Sequence, residues 1–375
     1  MPRHIVALAR ALSPIADITV ISETDRGGYT GFDGRHIVLR GLSSSLRPDS
    51  IWRGYQALLD ALHAEEADLV WFHARLPVIL GRLGAARGAL KGRVTVTFHG
   101  LPFGPGHRRA MAVISGGLER WLARRSRPLN MVFLSDEQRN VMTAHLGDDA
   151  KRHRMWVLGN ASTLGPIPSS AGRPRGRPTG LSTGLSTELS TELSTGRHLV
   201  MTGRAGWQKN LEAAAAILPH LQESTELSLC GPGTDAPRFA DKLRTLAGTA
   251  RSRLHILGPV SDVAALLATA DGYLLTSRYE GEPIGALEAW EAGLPVFLAD
   301  FPGAQDLAKH PFSHVFGSAD PAARAQEIEK GLEIYIANRI ENQGSIRTSW
   351  AKHHAPDAFA ANARNLLETF LATEP

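Results

Sequence analysis

The chain has 375 residues, 43% of them hydrophobic, a single cysteine, and a formal net charge of +4 from 41 basic and 37 acidic side chains. That length supplies two domains with cores of their own. The lone Cys230 excludes an internal disulfide framework and fits a reducing, cytoplasmic compartment, and no apolar run reaches the ~20 residues needed to span a bilayer.

The charge is unevenly placed. Residues 1–165 carry 22 Lys/Arg against 14 Asp/Glu, and the remainder carries 19 against 23. A basic amino-terminal half suits peripheral attachment to the anionic inner face of a membrane, or an acidic acceptor. It suits an arginine-rich solvated surface equally well. Nucleic acid is disfavoured, because the arginines are dispersed and no aromatic-interleaved patch accompanies them.

In chain order, Ile5-Val-Ala-Leu-Ala-Arg-Ala-Leu12 has a helical pattern and is too short for a secretory core. Residues 1–168 then alternate short apolar strands with helices. The strand-like runs are Ile18–Ile21, Leu69–Phe72, Val94–Phe98, Met131–Leu134 and Met155–Leu158, with helical patterns around Trp52–Ala64 and Leu118–Arg125. This alternation predicts a parallel, doubly wound sheet. Residues 169–197 break the pattern with Arg173-Pro-Arg-Gly-Arg-Pro178 and four Leu-Ser-Thr-Gly/Glu tetrads over Leu181–Gly196. A four-residue period matches no solenoid or coiled coil, and the stretch is too polar for a core, so a flexible linker without chemistry is expected.

Alternation restarts at His198–Thr202 and continues through Glu226–Cys230, Leu254–Leu257, Tyr273–Thr276 and Val296–Leu298. A second doubly wound domain is predicted over 198–348, followed by an amphipathic helix over 349–375. Two such domains would place the carboxyl ends of both sheets on a shared crevice.

The densest signal is Ser277-Arg-Tyr-Glu-Gly-Glu-Pro-Ile-Gly-Ala-Leu-Glu-Ala-Trp-Glu-Ala-Gly-Leu-Pro-Val296. A buried strand enters it, a Pro/Gly turn follows, and a short helix ends at Gly293. Glu280 falls on a loop at a strand's carboxyl end and Glu288 inside the helix. Pro283 suits a helix start, and the amides after it form a ready anion site. Phosphate beside carboxylates that can hold hydroxyls suggests a nucleotide-sugar. A plain crossover with surface carboxylates would account for Glu291.

This frame resembles the retaining GT-B glycosyltransferases of family four (group one). The resemblance covers nearly the whole chain, with its specific motifs in residues 198–305. It implies two Rossmann-like domains, the first on the acceptor side and the second binding a nucleoside-diphosphate sugar. It implies that Glu280 hydrogen-bonds the donor sugar, that Gly281, Pro283, Ile284 and Gly285 lie near the phosphates, and that Glu288 holds the ribose. In Gly203-Arg-Ala-Gly-Trp-Gln-Lys-Asn210, Arg204 and Lys209 match the family's diphosphate-binding pair. Two cations there stabilise the leaving charge without a metal. Gly231 and Gly233 match the turn that lets backbone approach the nucleotide, and Val260 the segment bordering the base. His99, ending Val94–Phe98, matches a histidine near the donor sugar and reacting centre, with Gly100 beside it; His73 is similarly placed at a strand end. Ser135 resembles a family Ser-Glu step and equally reads as a helix cap. Leu158-Gly-Asn-Ala161 resembles the Pro-Asn-Gly turn with its proline and glycine lost.

The family mechanism returns the acceptor to the face that the diphosphate leaves, so no side-chain nucleophile is implied. No cofactor is implied either. The chain has no Asp-x-Asp and no His/Cys/Asp group at metal spacing, which disfavours a metal-dependent transferase, and its Gly-x-Ser-x-Gly match, Gly180–Gly184, belongs to the polar tetrad repeat and follows no strand-like run, which leaves a serine hydrolase unsupported. Two departures stand out. Glu282 replaces a small or apolar residue, which bears on sugar preference. Met1–Leu12 aligns with a helix that family members precede with a strand and a glycine loop, so the first sheet is expected to lack that strand, with codons for it expected upstream. Rival readings are a GT-B nucleotide-sugar epimerase and a degenerate, non-catalytic nucleotide-sugar-binding protein.

Overall fold

The computed structural model describes residues 2–23, 29, 31–39, 48–88, 90, 92–104, 107–164 and 196–372. The tetrad insertion therefore lies outside the described residues. The chain divides into two compact units, residues 1–161 with 354–375, and residues 162–353. Both are Rossmann-like α/β domains with parallel sheets.

The first unit runs α1 (Pro2–Leu12), β1 (Thr19–Ser22), β2 (Arg35–Val38), α2 (Pro48–Glu65), β3 (Leu69–Phe72), α3 (Arg75–Ala86), β4 (Arg93–Phe98), α4 (Arg109–Arg125), β5 (Asn130–Phe133), α5 (Asp136–Leu146) and β6 (Arg154–Val157). Its described strands form two separate parallel sheets, β1–β2 and β3–β4–β5–β6. They do not form one continuous sheet, so Thr19–Ser22 and Leu69–Phe72 are both edge strands. The middle of the larger sheet is fully buried: Val96, Met131, Val132 and Phe133 are all 0% exposed, as expected for strands covered on both faces.

The second unit runs β7 (His198–Thr202), α6 (Leu211–Ile217), β8 (Glu226–Cys230), α7 (Pro237–Ala247), β9 (Leu254–Gly258), α8 (Val263–Ala268), β10 (Gly272–Leu275), α9 (Ile284–Glu291), β11 (Val296–Leu298), α10 (Ala304–Leu307), β12 (Ser313–Val315), α11 (Pro321–Ala337) and α12 (Arg339–His353). Its six parallel strands lie in the order β12–β11–β10–β7–β8–β9. The apolar runs that announced these strands, such as Leu199–Met201 and Tyr273–Leu275, are completely buried.

The terminal stretch is shared between the units. It breaks before Pro356, where a proline suits the first position of a new helix, and α13 (Pro356–Ala372) belongs to the first unit. Phe359, Ala363, Leu367 and Phe370 form one stripe of α13 that packs with Leu8, Leu12, Val132 and Leu158, and Arg364 Nε donates to Ala11 O at 2.8 Å. The last helix thus completes the core of the first domain.

Candidate functional site

In the second domain the strand order reverses between β10 and β7: β8 and β9 extend one way from β7, β11 and β12 the other from β10. The loops leaving the carboxyl ends of β7 and β10 therefore start side by side, where open α/β sheets bind ligands. The β7 loop, Gly203–Asn210, is held from both sides. Gly203 N donates to Cys230 O (2.8 Å) and Ala205 N to Pro232 O (2.9 Å), while Arg278 N donates to Gln208 O (2.8 Å). Asn210 closes the loop in the left-handed region at φ 51°. Its Nδ2 donates to Thr276 O at 3.1 Å and its own carbonyl accepts from Thr276 Oγ1 at 2.9 Å.

This frame brings Lys209 and Glu280 together. Lys209 Nζ lies 2.7 Å from Glu280 Oε1. Ser277 Oγ donates to the same oxygen at 2.5 Å, and Gln208 Nε2 to Oε2 at 3.4 Å. The carboxylate is 9% exposed, so these donors offset the desolvation of its charge. Arg204 is exposed in the same loop. Ser277 and Gln208 were not singled out in the sequence, although both sit within three residues of a residue that was.

Two glycines set how closely the backbones approach. Gly231 has φ 141°, and a Cβ there would stand 2.2 Å from Gly203 O. The β7 and β8 loops can close on one another only with glycine at this point. A Cβ on Gly285 would stand 2.1 Å from the Tyr273 hydroxyl and 2.7 Å from Thr202 Oγ1, so the first turn of α9 lies directly over the ends of β7 and β10. Gly233 follows in the β8 turn at φ 79°. Pro283 precedes α9 with an extended backbone, and its carbonyl accepts from Ala286 N and Leu287 N. Ile284 and Gly285 then carry first-turn N–H groups, which have no carbonyl four residues back within the helix.

Glu288 is 5% exposed in α9. Burial first, and the Glu288 charge second, push the Cys230 thiol up to about 12. Burial likewise raises the Tyr273 phenol, with Glu288 adding to it. Glu288 therefore lies beside the end of β8, where the Gly231–Gly233 turn begins. Val260 is half-buried just beyond β9, packed on the core. Glu291 is a correction. It is buried rather than on the surface, and it accepts from Ser162 Oγ (2.8 Å) and Leu164 N (2.9 Å), fixing the segment that enters the second unit.

The first domain gathers a second group. His73 follows β3 and His99 follows β4, and as β3 and β4 are paired the two rings meet: His73 Nδ1 lies 3.1 Å from His99 Nε2. His4, on α1, joins them edge-on to His99 with ring centroids 4.9 Å apart. Spacing in the sequence showed no metal-like group, but folding assembles these three imidazoles from separate elements. His4 itself was missed, because on an amphipathic helix it reads as an ordinary surface or core position. Gly100 follows His99. Ser135 proves to be a helix cap, its Oγ accepting from Gln138 N at 3.3 Å.

All three imidazoles are depressed. Burial lowers His4 to about 4 and His99 to about 3, and it lowers His73 well below 6.5, with neighbouring histidines adding to the effect on His73 and His99. Between about pH 6.5 and 4 the unfolded chain thus binds more protons here than the folded one. The stability tied to the neutral rings is complete above pH 6.5 and is lost as pH falls through that window. For His4 alone the loss from pH 7 to pH 5 is about 2 kcal/mol. Urea unfolding of chelator-treated protein should show it as a falling first-domain midpoint, and His4→Gln should flatten the dependence. An equal decline in both proteins would remove His4 from the account.

Comparison with known proteins places both domains. Residues 1–161 match the profile described as Glycosyltransferase Family 4 and residues 196–333 the one described as Glycosyl transferases group 1. The chain is 26% identical over 261 residues to the UDP-Gal:alpha-D-GlcNAc-diphosphoundecaprenol alpha-1,3-galactosyltransferase of Escherichia coli, covering 68% of this chain and 64% of that protein. It is 31% identical over 152 residues to the lipopolysaccharide glucosyltransferase WaaG of Escherichia coli K12, covering 40% and 38%. The chain thus matches less than two thirds of either relative's length. Among solved structures, Anabaena HepE in complex with UDP-glucose superposes with a TM-score of 0.71 at 15% identity, covering 98% of this chain and 95% of that one. These neighbours have the GT-B fold.

Proposed function

The chain belongs to the group 1, family four glycosyltransferases, and on that premise we propose that it moves a sugar from a nucleoside diphosphate to a hydroxyl of a glycan or glycolipid, with retention and without a metal at the diphosphate. The observation that carries this reading is the Lys209–Glu280 contact at the reversal of the second sheet. It puts a cation for the leaving diphosphate next to a buried carboxylate able to accept from sugar hydroxyls. Arg204 and the first-turn amides of α9 add donors for the phosphates. Glu288 takes the ribose hydroxyls, the Gly231–Gly233 turn admits the nucleotide backbone, and Val260 borders the base. His99 contacts the sugar as a neutral ring. The C–O bond to the diphosphate breaks, the acceptor oxygen bonds the same face of the sugar, and its proton passes to the departing phosphate oxygen.

Ribose contacts hold ground state and transition state alike. Glu288→Ala should therefore weaken nucleoside-diphosphate binding about tenfold or more in calorimetry, while kcat at saturating donor stays within about threefold. A kcat loss matching the affinity loss would take Glu288 off the ribose.

The acceptor reading extends to a lipid surface. On α4, Met111, Val113, Ile114 and Trp121 are 47–75% exposed, and Arg109, Arg120, Arg124 and Arg125 are exposed on the same helix. Apolar side chains beside cations suit an anionic interface, and the Escherichia coli galactosyltransferase acts, by its name, on a diphosphoundecaprenol-linked sugar. The protein should sediment with phosphatidylglycerol-containing vesicles, and Ile114→Asp with Trp121→Asp should lower the bound fraction at least fivefold. Undiminished sedimentation of that variant would rule out α4 as the contact.

A further inference from the structure

We propose that His4, His73 and His99 form a three-imidazole site for a divalent transition-metal cation of the Zn²⁺ class in the first domain. One ring nitrogen from each lies within 4.8 Å of one from each of the others. Three nitrogens at Zn–N distances near 2.1 Å in a tetrahedron stand about 3.4 Å apart. His73 and His99 already meet this spacing at 3.1 Å, and the remaining closure falls to His4.

The tautomer of His4 is set for ligation. Its Nδ1 lies 2.8 Å from Asn160 Oδ1. A carbonyl oxygen only accepts, so Nδ1 carries the proton and Nε2 keeps its lone pair. That Nε2 is buried without a hydrogen-bond partner. A ligand histidine is oriented in this way, by a second-sphere acceptor on its other nitrogen, and an orphaned buried acceptor costs stability unless something fills the position. The next segment is strained: Ala74, directly after His73, has φ 69° and ψ 157°, a region a non-glycine residue enters at a cost and one found at functional sites. Three imidazoles without a carboxylate suit Zn²⁺ or Co²⁺ over Mg²⁺ or Ca²⁺, which take oxygen ligands. With three protein ligands the fourth position is open to water or a substrate oxygen.

A cation here does not take the place of Lys209 and Arg204, which hold the diphosphate in the proposed function. It would also occupy a ring nitrogen that His99 otherwise offers to a sugar hydroxyl, so metal and sugar contact are alternatives at that atom.

The test is titration of the untagged, chelator-stripped full chain with Co²⁺ at pH 7.5, read by visible absorption and by calorimetry. The expected result is one Co²⁺ per chain with the intense visible bands of a four-coordinate centre, displaced by Zn²⁺. His73→Ala and His99→Ala should each abolish the bands. Asn160→Leu should keep the ligands and lower affinity about 10–100-fold. Circular dichroism melting of each variant shows whether it is folded, and the wild-type spectrum stands whether or not a variant folds. Absence of saturable binding to wild type, the weak bands of a six-coordinate ion, or unchanged binding in folded His73→Ala and His99→Ala would overturn the site.

Discussion

Glu280→Ala should lower transfer by about 10³-fold in kcat while changing nucleoside-diphosphate affinity no more than a few-fold. The carboxylate is buried and committed to Lys209, Ser277 and Gln208, so two effects add. Under the proposed function the sugar would lose an acceptor for its hydroxyls, and Lys209 would lose the partner that holds it for the diphosphate. Leaving the Ser277 and Lys209 donors partly unsatisfied also costs about 1–3 kcal/mol of second-domain stability. Glu280→Gln separates the contributions, because it keeps the packing and removes the charge. It should retain the melting temperature better than alanine does and still lose most of the rate. Wild-type kinetics in Glu280→Ala would detach Glu280 from the reaction.

Lys209→Ala and Arg204→Ala come next. Removing one preorganised donor from a developing oxyanion costs on the order of 10²–10³ in rate. Lys209 should cost more than Arg204, because it is half-buried against Glu280 while Arg204 is exposed and screened by solvent. Steady-state rates in excess EDTA check both points together. The wild type should keep its activity there and the two variants should fall in that order. Loss of wild-type activity in EDTA with recovery on Mg²⁺ or Mn²⁺ would replace the cation pair by a metal at the diphosphate.

The parts of the fold that read clearly from sequence are those where burial on both faces forces unbroken apolar runs. The strands of the second domain, such as Leu199–Met201 and Leu274–Leu275, are of this kind. Arg35–Val38 and Ser313–Val315 escaped notice because they are short edge strands of mixed polarity, half-exposed along most of their length. The division of the terminal stretch at Pro356 was also hidden. Periodicity shows that a helix has an apolar stripe, but not which core receives it, and here α13 folds back onto α1. At the candidate site, the loop positions of Lys209 and Glu280 were legible because each follows a recognisable strand, and the reversal of strand order then brings their loops together. The histidine group was half legible. His73 and His99 end paired strands, whereas His4 reaches them only through the docking of α1, which no local pattern encodes.

Sugar transfer from a nucleoside diphosphate at the Lys209–Glu280 site is proposed here and can be tested on the product itself. The most direct measurement incubates the full chain with a panel of nucleoside-diphosphate sugars and a diphospholipid-linked acceptor sugar in excess EDTA. Mass spectrometry then follows lengthening of the acceptor, and NMR reads the anomeric configuration of the product. The expected result is one donor consumed in step with a lengthened acceptor, the donor's anomeric configuration kept, and product formation about 10³-fold slower with Glu280→Ala. An inverted product, a new sugar epimer with no change in the acceptor, or equal product from Glu280→Ala would contradict it.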